Sequence, residues 1–300
     1  MPDIRIIKRK DIDLNKWNHL IDKYSNGLPY AYSWYLDAVC ENWKVIIYKD
    51  YEAGFSFQIK KKMGIPYSLH PFLTQQLGFF GKDKSIFDLF LKELEKNVFF
   101  YQYQLNHFNV VSKNLIQEKT NYELDLNKSY SDLYRQYKTN TKRNIKKAYN
   151  NNISISSNNI LNSSNIKFIE KHSKIDLKGE RLSIFNKLID HANKNNCLEI
   201  LQAKQNDQLI SIIIFIKNEI RSVYLMAISN SEGLALKANF LLIDHFIKNN
   251  SKKAMILDFE GSGIEGIARF YAGFGAYQTQ YPVIKNLSFK NSFTKFFQNL

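Results

Sequence analysis

The residues best placed to do chemistry lie near the C-terminal end of the 300-residue chain, in Leu257-Asp-Phe-Glu-Gly-Ser-Gly-Ile-Glu-Gly-Ile-Ala-Arg-Phe-Tyr-Ala-Gly-Phe-Gly-Ala276. An apolar stretch, Met255 to Leu257, leads into Asp258 and Glu260. Their spacing puts both carboxylates on one face at a strand end, where α/β sheets often hold their sites. Gly261, Ser262 and Gly263 make the turn, and Ser262 is placed to cap the next helix. Gly273 or Gly275 ends that helix. Carboxylates in this position can take a proton from an attacking amine. They can equally satisfy loop N–H groups and never meet a substrate. The turn is not read as a phosphate loop, since G-x-x-x-x-G-K-[ST] is absent.

The elements that must position these residues follow a mixed α/β order. Leu14, Trp17, Ile21 and Tyr24 keep helical spacing, Ser33 caps a helix to Glu41, and two alternating stretches, Trp43 to Lys49 and Gly54 to Lys62, read as strands. Pro66 to Gly81 reads as an aromatic loop. A helix from Ser85 and strands at Phe99 to Leu105 and Asn121 to Leu126 complete the first half. In the second half, Ser129 caps a helix expected to run unbroken to about Tyr149. Helices follow at about 166–176 and 181–195, then strands at Leu198 to Ala203, Leu209 to Lys217 and Ser222 to Ile228. A helix over Leu236 to Asn249 and a strand over Ala254 to Glu260 lead into the segment above. The domain boundary is placed near residue 128, giving 1–128 and 129–300, though no linker marks it.

Residues 135–147 hold Arg135, Lys138, Lys142, Arg143, Lys146 and Lys147 and no acid. On one helix, Arg135, Lys138, Lys142 and Lys146 form a stripe, with Tyr134, Tyr137, Thr141, Ile145 and Ala148 on a separate face. The stripe is either a solvated surface or a phosphate-binding one. The absence of interleaved acids, which a merely soluble helix tends to carry as ion pairs, supports phosphate binding.

The formal charge is +14. Residues 1–128 carry net +3 and residues 129–300 net +11, so the excess sits in the second half. A basic surface favours anionic partners: nucleotide phosphates, tRNA or a membrane-linked precursor. Lys, Asn and Ile are all abundant, so AT-rich codon usage is the competing explanation of the excess, one that the uneven distribution weakens. The composition, 44% hydrophobic, excludes a disordered chain. No stretch approaches a membrane span, and the charged N-terminus lacks a signal-peptide core, so the expected location is cytoplasmic. Two cysteines cannot build a disulfide framework or a cysteine zinc site, and no H-E-x-x-H or G-x-S-x-G occurs. Tyr224 faces either the site or the core, and Asn239 either a ligand or solvent. The tail from Lys290 to Leu300 mixes cations with phenylalanines, suited to packing or to peripheral membrane contact.

Two stretches carry a resemblance. Lys142-Arg143-Asn-Ile145-Lys-Lys-Ala148, together with Leu257-Asp-Phe-Glu-Gly-Ser262 and Ile267-Ala-Arg269-Phe270-Tyr-Ala-Gly-Phe-Gly275, resembles the FemAB-like branch of the GNAT acyltransferase superfamily. The likeness covers about 128–285, and more faintly the first half through Tyr32-Ser-Trp34-Tyr-Leu-Asp-Ala38. It implies two tandem GNAT-like domains, each a mixed, mainly antiparallel sheet flanked by helices, the first of them degenerate. It implies acyl or aminoacyl transfer to an amine of a small molecule or cell-envelope precursor. Asp258, Glu260 and Tyr271 would be catalytic; Ser262, Arg269, Phe270, Tyr224 and Asn239 would line the substrate site; Lys142, Arg143 and Lys146 would meet its anionic part. Tyr271 stands where aminoacyl-ligase members commonly carry Lys. Asn230-Ser-Glu-Gly233-Leu-Ala235 half-matches the acyl-CoA loop of GNAT enzymes, with Asn230, Gly233 and Ala235 as cofactor contacts; a plain helix start is the competing reading. No cofactor is expected to be tightly bound, acyl-CoA or aminoacyl-tRNA serves as co-substrate, and DNA is not an expected partner. A catalytically degenerate binding protein for an anionic polymer or membrane-linked precursor is the alternative.

Overall fold

The structure is a computed structural model, and it describes residues 3–111, 115–261 and 263–286. Contacts divide the chain into two units. The first holds the described residues of Met1–Ser25, Tyr30–Lys119 and Gln280–Leu300; the second holds Asn26–Pro29 and Thr120–Thr279. The units interleave along the sequence instead of meeting at one boundary near residue 128.

In chain order the first stretch runs β1 (Ile4–Lys8), α1 (Leu14–Tyr24), α2 (Ser33–Val39), β2 (Lys44–Tyr48), β3 (Ala53–Phe57), β4 (Lys60–Lys62), β5 (Ile65–Leu69), β6 (Phe79–Gly81), α3 (Phe87–Glu95) and β7 (Phe100–Gln104). β1, β2, β3 and β6 form an antiparallel sheet. Gly54 lets α1 close on β3, since a Cβ there would lie 2.6 Å from the Trp17 ring. β4 and β5 form a hairpin, and β5 runs parallel to β7. The aromatic stretch Pro66 to Gly81, expected as loop, thus contributes parts of two strands, β5 and β6. Their strand pairing satisfies backbone groups that a buried loop would leave open.

The chain continues through β8 (Leu115–Asp125), α4 (Tyr130–Gln136), α5 (Thr139–Asn150), β9 (Ser154–Asn158), α6 (Ser163–His172), α7 (Gly179–Lys194), β10 (Leu198–Gln205), β11 (Gln208–Lys217), β12 (Arg221–Ser229), α8 (Ser231–Ala235), α9 (Ala238–Asn250), β13 (Ile256–Asp258), α10 (Glu265–Ala272) and β14 (Tyr277–Lys285). In the second unit β9, β10, β11 and β12 pair antiparallel in that order. β12 then pairs parallel with β13, which pairs antiparallel with the end of β8. The run Ile212-Ile-Ile-Phe-Ile216 is buried on both faces, so β11 reads as continuously apolar. Ile213 and Phe215 join one core with Leu242 and Phe246 of α9 and with Ile145 and Ala148 of α5.

The helix expected from Ser129 to Tyr149 is broken. Tyr137 and Lys138 are extended, with ψ 137° and 150°, and separate α4 from α5. The Tyr137 ring packs 5.2 Å from Phe274, edge to face, and the Lys138 amide donates to the Gly273 carbonyl at 2.9 Å. Leaving the helix seats an aromatic ring and satisfies the end of α10 at once. Arg135 therefore does not share a helix with Lys142 and Lys146, and it pairs with Asp132 at 2.7 Å.

Candidate functional site

The site begins with a short pairing. β12 and β13 match at Arg221–Ile256, Ser222–Leu257 and Val223–Asp258, and there β13 ends. β12 runs on to Ser229, so Tyr224 to Ser229 keep an edge that no strand covers among the described residues. A bulge falls in the same place: Tyr224 pairs with Phe215 and Met226 with Ile214, leaving Leu225 as the extra residue. Bulges re-aim side chains and backbone groups beside sites.

A cavity of about 420 Å³ occupies this opening. β12 forms its floor from Tyr224 to Ser229; the Phe259 to Gly261 turn, and Ile267, Phe270 and Tyr271 of α10, form one wall. Leu234, Asn239 and the loop from His172 to Ile175 complete it. Of the residues singled out in the sequence, Tyr224, Asn239, Glu260, Phe270 and Tyr271 meet here.

Beneath the turn lies a buried charged cluster. Arg221 is 1% exposed, and its Nη1 donates to Asp258 at 2.7 Å and to Glu123 at 2.9 Å. Its Nε donates to the Asn26 carbonyl at 3.0 Å. Asn121 donates to Asp258 Oδ1 at 3.0 Å, and its Oδ1 accepts the Gly261 amide at 2.8 Å. Asp258 Oδ1 also accepts the Glu260 amide at 2.9 Å. Asp258 is thus wholly buried and does not line the cavity; it ties the turn down. Burial pushes its carboxyl up from the ordinary range, while Arg221 acts in the opposite sense.

The turn that results is constrained. A Cβ on Gly261 would lie 1.8 Å from the Thr120 carbonyl, so only glycine fits. Glu260 is held at φ 57°, an uncommon conformation for a side chain of this size. Strained residues of this kind cluster where a side chain must be presented in one direction. Glu260 faces the cavity wall that Tyr271 shares. The turn carries G-x-G-x-x-G spacing at Gly261, Gly263 and Gly266. It is not a dinucleotide fingerprint, because α10 leads to β14 and not to a parallel neighbour of β13, and no acid follows about 20 residues on.

Tyr271 stacks on Phe259 at 4.7 Å and meets Tyr224 at 5.8 Å. Burial first, then the negative charge of Glu260 and Asp258, holds its hydroxyl well above the ordinary tyrosine value. It remains a protonated donor through the physiological range. Burial does the same for Tyr224, with Tyr271 adding to it. Asn239 accepts from Ser211 at 2.6 Å and from Ser229 at 3.2 Å, which fixes its carbonyl oxygen. Phe270 packs edge to face on Phe240 at 4.7 Å.

The remaining sequence candidates lie elsewhere. Lys142 donates to the Arg135 carbonyl at 3.1 Å and sits 5.3 Å over the Tyr134 ring; Arg143 donates to Asn140 at 3.2 Å. Neither of them, nor exposed Lys146, lines the cavity. Arg269 is exposed beside Glu265, 3.7 Å away. Asn230 caps α8, accepting the Gly233 amide at 2.8 Å, and Gly233 packs so closely on the Ile210 carbonyl that a Cβ would lie 2.2 Å from it. Asn230, Gly233 and Ala235 thus form a capped helical turn, with the Asn230 oxygen engaged internally. Ser262 and the Lys290 to Leu300 tail lie outside the described residues.

Sequence reasoning missed two groups. His172 and Lys174 enter the cavity from the end of α6, with the His172 ring 4.7 Å from Phe168; no spacing signalled them. Arg221 did leave a signal: it is one of seven arginines against 35 lysines, at the head of an apolar strand. The planar guanidinium is the cation suited to a buried bidentate role. Among the described residues no three His, Cys, Asp or Glu side chains are grouped to hold a metal ion, and no helix is long and apolar enough to cross a membrane.

Solved structures align over nearly the whole chain. FemX superposes with a TM-score of 0.65 at 10% identity, covering 93% of this chain and 96% of its own. The fold of this chain is the one that FemX has. L-PGS from Bacillus licheniformis shares it with a TM-score of 0.57 at 10% identity, over 95% of both chains. A tandem GNAT protein from the clavulanic acid biosynthesis pathway also gives 0.57 at 10% identity, covering 94% of this chain and 98% of its own. No protein-family model and no curated protein matches the sequence. The mixed α/β, tandem GNAT architecture implied by the sequence motifs is the one observed.

Proposed function

We propose that this chain is an N-acyltransferase that moves an acyl or aminoacyl group from an activated ester or thioester to an amine. The observation that carries the proposal is the uncovered edge of β12 beyond Val223, opposed across one cavity by Glu260 and Tyr271. Acyl transfer asks little covalent chemistry of a protein. It asks for an amine held against a carbonyl, a proton acceptor, and donors for the oxyanion.

Each requirement has an occupant. Free backbone amides of β12 and the Tyr271 hydroxyl supply hydrogen-bond donors for the carbonyl oxygen as negative charge develops. Glu260 takes the amine proton as the C–N bond forms. The C–O or C–S bond then breaks, and that proton passes to the leaving oxygen or sulfur, so the carboxylate is regenerated. The aromatic wall of Phe259, Phe270 and Tyr271 excludes water that would hydrolyse the donor. Lys174 at the rim offers a cation for a phosphate-bearing donor or acceptor.

The amine belongs to a small molecule or a cell-envelope precursor, and the donor is acyl-CoA or aminoacyl-tRNA. FemX and the tandem GNAT protein support the reading by fold. Calorimetric titration at low salt with acetyl-CoA and, separately, with charged tRNA tests the donor. Saturable binding of one, weakened by Met226→Trp in the cavity floor, is expected. Failure of both to bind would leave the cavity without a donor and overturn the proposal.

A further inference from the structure

The β4–β5 hairpin, within the first unit, has a tip that its fold does not explain. Lys62 pairs with Ile65, so the loop is two residues long, Met63 and Gly64. Both have positive φ, 50° and 81°, the geometry of a type I′ turn. That turn favours Asn at its first position, because a left-handed conformation costs an unbranched apolar residue more. Methionine stands there instead, 84% exposed, and gains no packing in return. A residue that breaks a local rule without structural compensation points to a use outside the fold.

The surroundings say what kind. Lys60, Lys61 and Lys62 lead directly into the tip, and residues 60–69 contain no acid. Lys60 and Lys61 are exposed and form no ion pair among the described residues. β4 lies at the end of its strand order, and lysines commonly protect such an edge from pairing with other chains. Edge protection accounts for the lysines but not for Met63. The base of the hairpin is fixed: Tyr67 and Phe100 pack with Ile65 and Leu69, and the Phe99 amide donates to the Pro66 carbonyl at 2.8 Å. Phe99 itself is 38% exposed. The tip thus presents one exposed apolar side chain directly after three consecutive lysines, on a hairpin whose base is packed.

We propose that this hairpin docks on an anionic lipid surface, the lysines meeting phosphate headgroups and Met63 entering the acyl boundary. Nucleic acid shares the phosphate chemistry, but single-stranded RNA is gripped by aromatic and arginine stacking. The tip offers neither, and a thioether gains nothing from a phosphate backbone. A lipid interface rewards both parts of the tip: each lysine near an anionic surface adds roughly fivefold to binding, and burying a methionine about tenfold or more.

Co-sedimentation of the full chain with large vesicles tests this directly. Vesicles of equal parts phosphatidylglycerol and phosphatidylcholine should bind it in a salt-sensitive way, and pure phosphatidylcholine should not. Met63→Asn should lower that binding about tenfold while holding or raising the melting temperature, since Asn suits the turn; Met63→Gln should match it. Lys60→Glu with Lys61→Glu should abolish the binding. Wild-type protein that ignores the anionic vesicles, or Met63 variants that bind as well as wild type, would overturn the proposal. So would a lysine variant that loses tRNA binding while keeping vesicle binding.

Discussion

Arg221 and Asp258 hold each other at 2.7 Å with almost no solvent contact, 1% and 0% exposed, directly beneath the turn that presents Glu260. The guanidinium serves Glu123 as well, so two buried carboxylates share one cation. Asn121 then couples the pair to the turn through Gly261. The charged cluster is a scaffold for the cavity wall and not a part of its lining.

Arg221→Met should cost about 3–5 kcal/mol of stability, because it leaves two carboxylates buried without a neutralising cation. Adding Glu123→Gln and Asp258→Asn should recover much of that loss. Urea unfolding of the single and triple variants measures both. A single variant within 1 kcal/mol of wild type, roughly the worth of a surface pair, would contradict the buried arrangement.

Glu260→Asn separates the local strain from the chemistry. Asparagine tolerates the left-handed conformation, so thermal unfolding should show equal or slightly greater stability, by up to about 1 kcal/mol. Amide formation should fall by at least about 100-fold with loss of the proton acceptor. Loss of stability together with activity would assign Glu260 a structural role.

Tyr271→Phe keeps the ring stack on Phe259 and removes only the donor. Its turnover should drop about 10²–10³-fold with unfolding nearly unchanged, as for other single oxyanion donors. A change in donor affinity alone would place the hydroxyl in binding and not in the transition state.

In the first unit, His70 is largely enclosed, with both ring nitrogens engaged by backbone groups. Its Nδ1 accepts the Gln104 amide at 3.3 Å, so Nε2 carries the proton toward the Thr74 carbonyl at 2.9 Å. Burial lowers its pKa to about 3, with the Thr74 hydrogen bond opposing and Lys119 adding to the fall. For a base with a depressed folded value, the unfolded chain binds the extra proton first. The contribution is complete above the unfolded value near 6.5, and is lost as pH falls from there toward 3. Urea unfolding across that window should lose up to about 1.4 kcal/mol per pH unit from this group. His70→Gln should flatten that slope; an unchanged slope would mean the imidazole is not held neutral.

Much of the architecture was legible because apolar runs and glycine-punctuated turns dictate it locally. The strand–turn–helix order from Leu257 to Gly275 could be read, but β13 stops at Asp258 and α10 starts at Glu265 with Ile264, not Ser262, at its N-cap; Ala235 and Asn230 fall where a helix start was one of the two readings. What escaped depends on contacts distant in sequence. The break at Tyr137 exists because Phe274 and Gly273 wait for it, and helical periodicity continues straight through that position. The two carboxylates at 258 and 260 share a strand-end spacing, yet Arg221, far away in the chain, draws Asp258 inward and leaves Glu260 at the cavity. The basic stripe assumed one continuous helix, and His172 and Lys174 reach the cavity only through the fold.

The most direct measurement is mass-spectrometric detection of amide product. Purified protein would meet a panel of primary amines with either acetyl-CoA or aminoacyl-tRNA, beside the Glu260→Gln and Tyr271→Phe variants. An acylated amine is expected with one of the two donors, formed at least about 100-fold more slowly by Glu260→Gln. Neither donor consumed above its rate in buffer, or a Glu260→Gln variant as fast as wild type, would contradict the proposed acyl transfer.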